Sequence, residues 1–351
     1  MSELLLEPVV APSDATTRRR SFLGGRAGAA ALTVASLVAL VVGIAGSPLP
    51  LGVRLAIAAA GAIGAVRGAR ILASDIAGHP VDVGFWLAAG WLLLLLLSAV
   101  FADLLPLGEA SDVSKTLLEP TLVRPDLLSS HPLGTDRQGL DILAGVIYGA
   151  RVSLLVGLGA VAIGAFVGGA IGLLAGFYRR GLDRGVAILS DSMMAFPPLV
   201  FLMAMVAVLQ PSARNVTIAL GIISIPSYIR LVRANTMTLA KREFVLASRA
   251  LAADDRRILL REILPNVVLP VVSYSFVIVA VLIVSEATLS FLGLSIQRPN
   301  PTWGNLIAAG QSDFDQYPHL VFGPGAVLFI TVFALNRVGD RMRLWWEPKS
   351  R

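Results

Sequence analysis

The sequence predicts an all-α polytopic membrane protein, and three observations support this fold class. Of the 351 residues, 56% are hydrophobic and only 15% are charged, which is far from the composition of soluble domains. The apolar residues form runs that are long enough to cross about 30 Å of hydrocarbon as helices of about 20 residues. Lysine and arginine cluster in alternate connections between these runs, as expected when cations mark the cytoplasmic side.

Residue types that support metal or thiol chemistry are scarce. The chain has no cysteine, and its three histidines are far apart without the spacing of metal ligands, so we expect no metal site. It also lacks a G-x-x-x-x-G-K-[ST] sequence, so we expect no phosphate-binding loop and no ATP hydrolysis by this chain. The net charge of +6 is compatible with nucleic-acid binding, but the distribution of the cations favours membrane topology and no nucleic-acid partner.

Eight apolar segments are candidate spans, the second being short: residues 28–46, 51–66, 85–105, 150–177, 186–209, 216–234, 267–290 and 321–338. If the chain starts in the cytoplasm, every cation cluster falls on the cytoplasmic side, including those after the sixth and eighth segments. The predicted protein is therefore multi-pass, with both termini in the cytoplasm. The N-terminal RRRSFLGG also resembles a twin-arginine export signal, but seven further apolar segments favour a cytoplasmic anchor.

The fourth segment has glycine at every fourth position, at Gly164, Gly168, Gly172 and Gly176. This spacing predicts a groove along one helix face, where another backbone can approach closely in lipid. The partner helix belongs either to this chain or to another subunit, and both alternatives stay open.

Four residues inside apolar segments are candidate pathway or gate positions: Asp191, Pro197, Pro198 and Glu286. The two prolines predict a kink in the fifth segment, which either lines a pathway or shapes the bundle. An acid inside an apolar run is a functional hypothesis by default, because burying its charge is costly. Both acids lie near the ends of their spans, so we expect each to reach water or a basic partner. We favour a structural or gate-packing role over ion coupling.

The charged break at residues 241–266 separates two long apolar segments and must lie in water. Small and apolar residues recur at helical spacing from Arg242 to about Leu251. Asp254 and Asp255 suit the start of a second helix, and Pro265 marks the beginning of the next span. Acids interleaved with arginines favour a protein partner over anionic lipid. We predict a short helix pair at the membrane surface that docks a protein.

This break resembles the EAA loop of permease subunits in binding-protein-dependent ABC importers. In that family the loop is a coupling helix that fits a groove on a cytoplasmic ATPase. The candidate coupling residues are Glu243, Ala247, Ser248, Ala252, Asp254, Ile258, Leu264 and Pro265. The family usually has glycine at the position of Ala252. Because alanine prefers helix to the left-handed conformation, the sharpness of this turn is an open question.

Three further stretches are similar to the second, C-type subunit of dipeptide and oligopeptide permeases: residues 131–154, 285–307 and the tail that ends at Pro348. The resemblance covers residues 85–348 and implies a six-helix, MetI-like core of the type I importers. A cytoplasmic tail at residues 1–27 and a two-span extension at residues 28–70 would precede this core. The implied location is the cytoplasmic (inner) membrane of a prokaryote.

The resemblance also implies partners. Two cytoplasmic P-loop ATPase subunits would bind ATP and Mg, a B-type permease would complete a heterodimeric pathway, and an extracytoplasmic binding protein would deliver peptides or related small solutes. This chain would be a transport subunit in membrane lipid, neither an enzyme nor the holder of a cofactor. The alternative is a secondary transporter coupled to an ion gradient, which needs midplane acids and related repeats. We find no convincing repeat.

Polar residues precede the fourth segment on the predicted outer side, namely Thr135, Asp136, Arg137 and Asp141. They have no nucleophile and base arrangement that predicts catalysis. Docking of the binding protein and a simple turn into the next helix both stay open. Trp303 is either an interfacial anchor or part of an extracytoplasmic gate, and we favour the anchor.

Overall fold

A computed structural model of the chain describes residues 28–39, 51–77, 82–126, 129–208 and 210–346. In chain order the helices are α1 (Gly28–Ala39), α2 (Leu51–Ala77), α3 (Val83–Val100), α4 (Ile142–Tyr178), α5 (Arg180–Ala195), α6 (Pro198–Val208), α7 (Ala213–Leu239), α8 (Glu243–Ala250), α9 (Asp255–Phe291), α10 (Trp303–Gly310) and α11 (His319–Trp346). Helices α4 and α9 each contain a π-helical turn, at Gly164–Gly168 and Ile258–Ile263. The described residues contain no strand, only an isolated bridge between Thr135 and Asp141. The all-α prediction is confirmed.

Five of the described helices, α3, α4, α7, α9 and α11, are long and apolar enough to cross a membrane. Helices α5 and α6 together form a sixth candidate span, although their axes differ by 86°. These six elements correspond to the last six of the eight predicted segments. The first predicted segment lies partly outside the described residues, and α2 continues well beyond the second. The two additional N-terminal spans therefore stay predictions.

The chain forms two compact units, Met1–Leu87 and Ala88–Arg351. In the first unit, small residues bring α1 and α2 together. A Cβ added at Gly68 of α2 would lie 2.9 Å from the backbone nitrogen of Thr33 and 3.1 Å from the carbonyl oxygen of Ala29, both in α1. The two backbones are therefore in direct contact, which is how helices associate in lipid.

In the second unit, the glycine face of α4 packs against α7. A Cβ at Gly168 would lie 2.6 Å from the carbonyl oxygen of Ile225, and one at Gly172 would lie 2.7 Å from that of Ile229. A Cβ at Gly176 would likewise lie 2.7 Å from the carbonyl oxygen of Arg233. The predicted groove is confirmed, and its partner is an internal helix of this chain.

The core of the second unit lies between α4, α7 and α9. Val156, Leu220 and Ile283, one from each of these helices, are fully buried in it. Trp303, the first residue of α10, belongs to the same core and donates its Nε1–H to the carbonyl oxygen of Val146 at 3.0 Å. Its prediction as an interfacial anchor is wrong, because the chain folds back after α9 and places this indole inside the bundle.

The segment between α3 and α4 is held by local caps. Asp141 begins α4 by accepting hydrogen bonds from the backbone N–H groups of Leu143 and Ala144, at 2.7 and 3.1 Å. Arg151 of α4 reaches back to the end of α3, where its Nε donates to the carbonyl oxygen of Ala99 at 2.8 Å. It also pairs with Asp103 at 3.0 Å, and this guanidinium lowers the pKa of the carboxyl. These contacts fix the start of α4 relative to α3.

Candidate functional site

The charged break contains one separate helix, α8, which contacts the spanning helices through Val245 and through Arg249, whose guanidinium lies 5.5 Å from the centre of the Phe177 ring in α4. Val245 is fully buried in an apolar cluster that we call the anchoring cluster. Its members come from α4, α7, α8 and α9: Leu173, Phe177, Val232, Ala240, Val245, Ile258, Leu259, Ile263 and Val267. This cluster therefore joins α8 to the spanning helices through closely packed side chains.

The opposite side of α8 is open. Leu246 is 53% exposed and Leu251, just beyond the helix, is 84% exposed. We call this surface the docking face; its residues are Glu243, Phe244, Leu246, Ala247, Ala250 and Leu251. Successive residues of an α-helix are 100° apart around its axis. These six residues therefore lie on one half of the helix circumference, and Val245 lies on the opposite half. Exposed apolar side chains beside a charge are typical of a protein interaction site.

Two of the predicted coupling residues, Glu243 and Ala247, are four residues apart and so lie one above the other on the docking face. The small Ala247 leaves a shallow position between Phe244 and Leu251. Ser248 lies at the edge of this face and is half-buried.

Helix α8 ends in a left-handed turn at Ala252, with a φ of +58°. The N–H of Ala252 donates to the carbonyl oxygen of Arg249 at 2.9 Å, and that of Ala253 donates to Ser248 at 3.0 Å. This pair of bonds is the Schellman motif, which normally has glycine at the left-handed position. The turn is thus as sharp as glycine would make it, and alanine bears a conformational cost of about 1–2 kcal/mol.

The second half of the break differs from the predicted helix pair. Asp254 caps the next helix through the N–H of Arg257, as predicted. That helix, however, is α9 itself, which continues without a break through Leu264 and Pro265 into the span. The π-helical turn at Ile258–Ile263 precedes Pro265. In a regular α-helix the proline ring would clash with the carbonyl group four residues earlier, and the wider π-helical turn accommodates the ring. Ile258 is fully buried in the anchoring cluster, so it supports the docking face without belonging to it.

The predicted kink is present, because Phe196 is extended and α5 meets α6 at 86°. Pro197 lies in this break and Pro198 begins α6. Asp191 has the basic partner that we expected, Arg230 of α7 at 2.9 Å, and both side chains are exposed, by 67% and 58%. The sequence analysis did not identify Arg230, although a cation inside the predicted span 216–234 was a visible signal.

Glu286 differs from its prediction. It is fully buried and has neither water access nor a basic partner among the described residues. Serine hydroxyls surround its carboxyl group: Ser290 donates at 2.7 Å, and Ser153 and Ser295 donate at 3.3 Å. The expectation that its position near the end of a span would expose it is wrong, because residues 295–303 fold over this end of α9. Glu286 joins α4 to that returning segment.

The polar residues that precede the fourth predicted segment form the turn that leads into α4. Thr135 is fully buried and donates its hydroxyl to the carbonyl oxygen of Pro120 at 2.7 Å, while Asp141 is 3% exposed. Asp136 pairs with Arg298 at 2.9 Å. Only Arg137 presents a largely exposed side chain, which pairs with Asp313 at 2.6 Å. The turn is therefore the structural role of Thr135 and Asp141, and docking stays a prediction for the exposed Arg137.

Comparison with known proteins was made on sequence and on structure. Residues 168–351 match the family described as binding-protein-dependent transport system inner membrane component. The chain is 38% identical over 223 residues to the glutathione transport system permease protein GsiD of Pectobacterium atrosepticum, covering 64% of this chain and 74% of that protein. It is 35% identical over 256 residues to the dipeptide transport system permease protein DppC of Alkalihalophilus pseudofirmus, covering 73% and 83%.

A third relative is the di/tripeptide transport system permease protein DppC of Pseudomonas aeruginosa, at 36% identity over 268 residues, covering 75% of this chain and 88% of that protein. Among solved structures, a chain of the MetNI methionine ABC transporter in inward facing conformations has a TM-score of 0.49 at 17% identity. The match covers 59% of this chain and 98% of that chain.

Proposed function

Because this chain belongs to the family of binding-protein-dependent transport system inner membrane components, we propose that it forms half of the pathway by which an ATP-driven importer takes up peptides or related small solutes. It is a permease subunit of an ABC importer. The relatives named above are permeases for glutathione, dipeptides and di/tripeptides, which supports a peptide-like solute for this chain.

The observation that carries this proposal is the docking face of α8 on its buried anchor. A cytoplasmic ATPase seated on Glu243 and Ala247 would move α8 when it closes on ATP. Val245 would pass this displacement to α4, α7 and α9 through the anchoring cluster. A rigid-body rocking of these helices would then exchange inward and outward access.

We infer the remaining partners from the family and from the charges. The chain has no phosphate-binding loop, so ATP and Mg would bind in two separate ATPase subunits and no cofactor in this one. A B-type permease would complete the pathway. The cation-rich breaks favour a cytoplasmic location for α8 and both termini, and a binding protein would then dock on the opposite side, near Arg137.

The test is charge reversal on the docking face. Glu243→Lys and Ala247→Trp are compared with Asp340→Lys, which reverses an exposed charge on α11 instead of α8. Each chain is purified from its own membrane with its partners and reconstituted in vesicles, where ATP hydrolysis and uptake of labelled dipeptides and glutathione are measured. We expect the first two variants to insert normally and to lose uptake, either by losing the ATPase subunits or by hydrolysing ATP without transport.

Normal uptake by both docking-face variants would contradict this role of α8. A chain that purifies without any ATPase and still transports in vesicles would favour the gradient-driven alternative. The Asp340→Lys control separates a local effect from a general sensitivity to charge.

A further inference from the structure

Two leucines project from a tight turn in the connection between α3 and α4. The backbone N–H of Glu119 donates to the carbonyl oxygen of Thr116 at 2.9 Å, so Leu117 and Leu118 are the two central residues of a β-turn. Glycine, proline, asparagine, aspartate and serine are the usual residues of such turns. These leucines are instead 77% and 99% exposed. We call residues 116–119 the leucine turn.

The leucine turn is held by the segment that leads into α4. Thr116 is buried, and its hydroxyl donates to the carbonyl oxygen of Gln138 at 2.6 Å. A Cβ added at Gly139 would lie 3.0 Å from the carbonyl oxygen of Thr116, so the two backbones are in contact. The turn therefore presents its leucines in a fixed position, and a partner that binds them does not have to order a loop first.

The leucine turn and α8 lie at opposite ends of α4. Thr116 contacts Gln138, shortly before α4 begins at Ile142, whereas Arg249 of α8 lies 5.5 Å from the ring centre of Phe177 near the other end. Helix α4 has 37 residues and is about 55 Å long. Because α8 is the proposed contact with the cytoplasmic ATPase, the leucine turn belongs to the extracytoplasmic side.

The connection that contains the turn is acidic, although the whole chain has a net charge of +6. Residues 101–126 contain five acids and two bases, so their net charge is 2 minus 5, or −3. Lys115, the base next to the turn, is paired with Glu109 at 3.1 Å. Glu119 ends the turn with a half-exposed carboxyl, 3.8 Å from Nε2 of His131. Such a surface repels anionic lipid headgroups and attracts a basic protein surface.

A cavity of about 340 Å³ opens on the same surface. Gln138, which accepts the hydrogen bond from Thr116, lines this cavity together with the apolar side chains of Leu306 and Leu320. The surface thus has a projecting apolar turn beside a recess. A folded protein can match this fixed shape, as protein interfaces do, whereas fluid lipid cannot.

We infer that the leucine turn and this cavity are the surface on which the importer's extracytoplasmic binding protein docks. Leu117 and Leu118 enter an apolar recess of the binding protein that is rimmed by lysine or arginine, and an apolar side chain of the binding protein enters the cavity beside Gln138. This inference rests on the proposed function and specifies the chemistry of its partner: apolar contacts hold the complex, and the acidic connection steers its approach.

The test is a titration of the assembled transporter in lipid nanodiscs, which leave both faces accessible. The binding protein that is recovered with the transporter from its own membrane is added in increasing concentration, and the stimulation of ATP hydrolysis is measured. The double variant Leu117→Ser, Leu118→Ser removes the apolar tip, and Ala309→Trp fills the cavity, which Ala309 lines. The control Leu104→Ser removes a leucine that is 78% exposed in the same connection but lies outside the turn.

We expect the double variant to raise the half-maximal concentration of binding protein by about tenfold or more, because a few central apolar contacts dominate protein binding. Ala309→Trp should raise it as well, and Leu104→Ser should leave it unchanged. Glu119→Lys should raise it at low salt and make it less sensitive to added salt, because an attraction that salt screens is lost.

A half-maximal concentration that is unchanged in both the double variant and Ala309→Trp would overturn the inference. The lipid alternative is tested with an environment-sensitive fluorophore on Leu118→Cys, the single cysteine of that variant. We expect aqueous iodide to quench the fluorophore until the binding protein is added. Quenching by nitroxide-labelled lipid without the binding protein would place the turn in the membrane and would also overturn the inference.

The proposed function is judged by the wild-type transporter in the same titration. If no binding protein stimulates its ATP hydrolysis, the importer proposal fails and this inference fails with it. If the wild type is stimulated and all the variants respond as it does, only the docking surface is wrong.

Discussion

A methyl group added at Gly168 should separate α4 from α7. The added Cβ would lie 2.6 Å from the carbonyl oxygen of Ile225 and 2.9 Å from Cβ of Tyr228, whereas ordinary contacts begin at 3.4 Å. The distance to the Ile225 oxygen would therefore be too short by 3.4 minus 2.6, or 0.8 Å. This oxygen belongs to the backbone, so it cannot rotate away from the added methyl group. Overpacking of this kind costs about 1–3 kcal/mol.

The neighbouring Gly169 supplies a matched control. A Cβ there would meet nothing closer than Cγ2 of Val232, at 3.9 Å. Both substitutions replace a helical glycine by alanine in the same turn of α4, so they share the gain in helix propensity of about 1 kcal/mol. The difference between Gly168→Ala and Gly169→Ala therefore isolates the helix contact, and we expect Gly168→Ala to be less stable by about 1–3 kcal/mol.

The purified transporter is heated in detergent, and the fraction of this chain that remains monodisperse is measured as a function of temperature. We expect Gly168→Ala to lose its monodisperse peak several degrees below Gly169→Ala, since about 1 kcal/mol shifts Tm by 2–4 °C in domains of 150–250 residues. If the two variants denature at the same temperature, the close packing of α4 on α7 does not stabilise this fold.

Other substitutions test separate features of the structure. Ala252→Gly should stabilise the chain by about 0.5–1 kcal/mol by relieving the left-handed alanine, while Ala250→Gly inside α8 should destabilise it by about 1 kcal/mol; thermal denaturation of the two variants compares them. Trp303→Phe should destabilise the chain by about 1–3 kcal/mol, because the buried carbonyl of Val146 loses its indole donor; urea denaturation measures this loss. Backbone N–H groups and Lys115 lower the pKa of Glu109 from 4.5 to about 2, so its stabilising effect is full above pH 4.5 and declines as the pH falls toward 2. The stability difference between the wild type and Glu109→Gln should shrink over that range, and a difference that is constant from pH 6 to 3 would contradict this account.

Local patterns in the sequence were sufficient for several parts of the structure. The glycine repeat of α4, the cap at Asp254 and the proline break after α5 follow from neighbouring residues, because helix packing surfaces, caps and kinks depend on a few adjacent positions. The short helix α8 was predictable for the same reason. Its docking face follows from the periodicity of eight residues.

The positions of Glu286 and Trp303 were not predictable in this way. Both lie near the outer end of a predicted span or connection, where sequence position alone indicates exposure to water or to the membrane interface. The return of residues 295–303 over the end of α9 buries both, and that return depends on contacts with α4 far away in sequence. The second helix of the expected pair is instead the beginning of the long helix α9, in which a π-helical turn before Pro265 keeps the backbone continuous.

The sequence by itself determined the class of protein, the approximate spans and the exposed apolar face of α8, because composition and short-range periodicity decide these features. Only the tertiary structure decided which helix fills the glycine groove, which cation pairs with Asp191 and which polar groups are buried. These features depend on which helices, distant in sequence, come together. In lipid, an apolar side chain has nearly the same free energy against lipid as against protein. The pairing of helices is therefore decided by close packing and by hydrogen bonds between them.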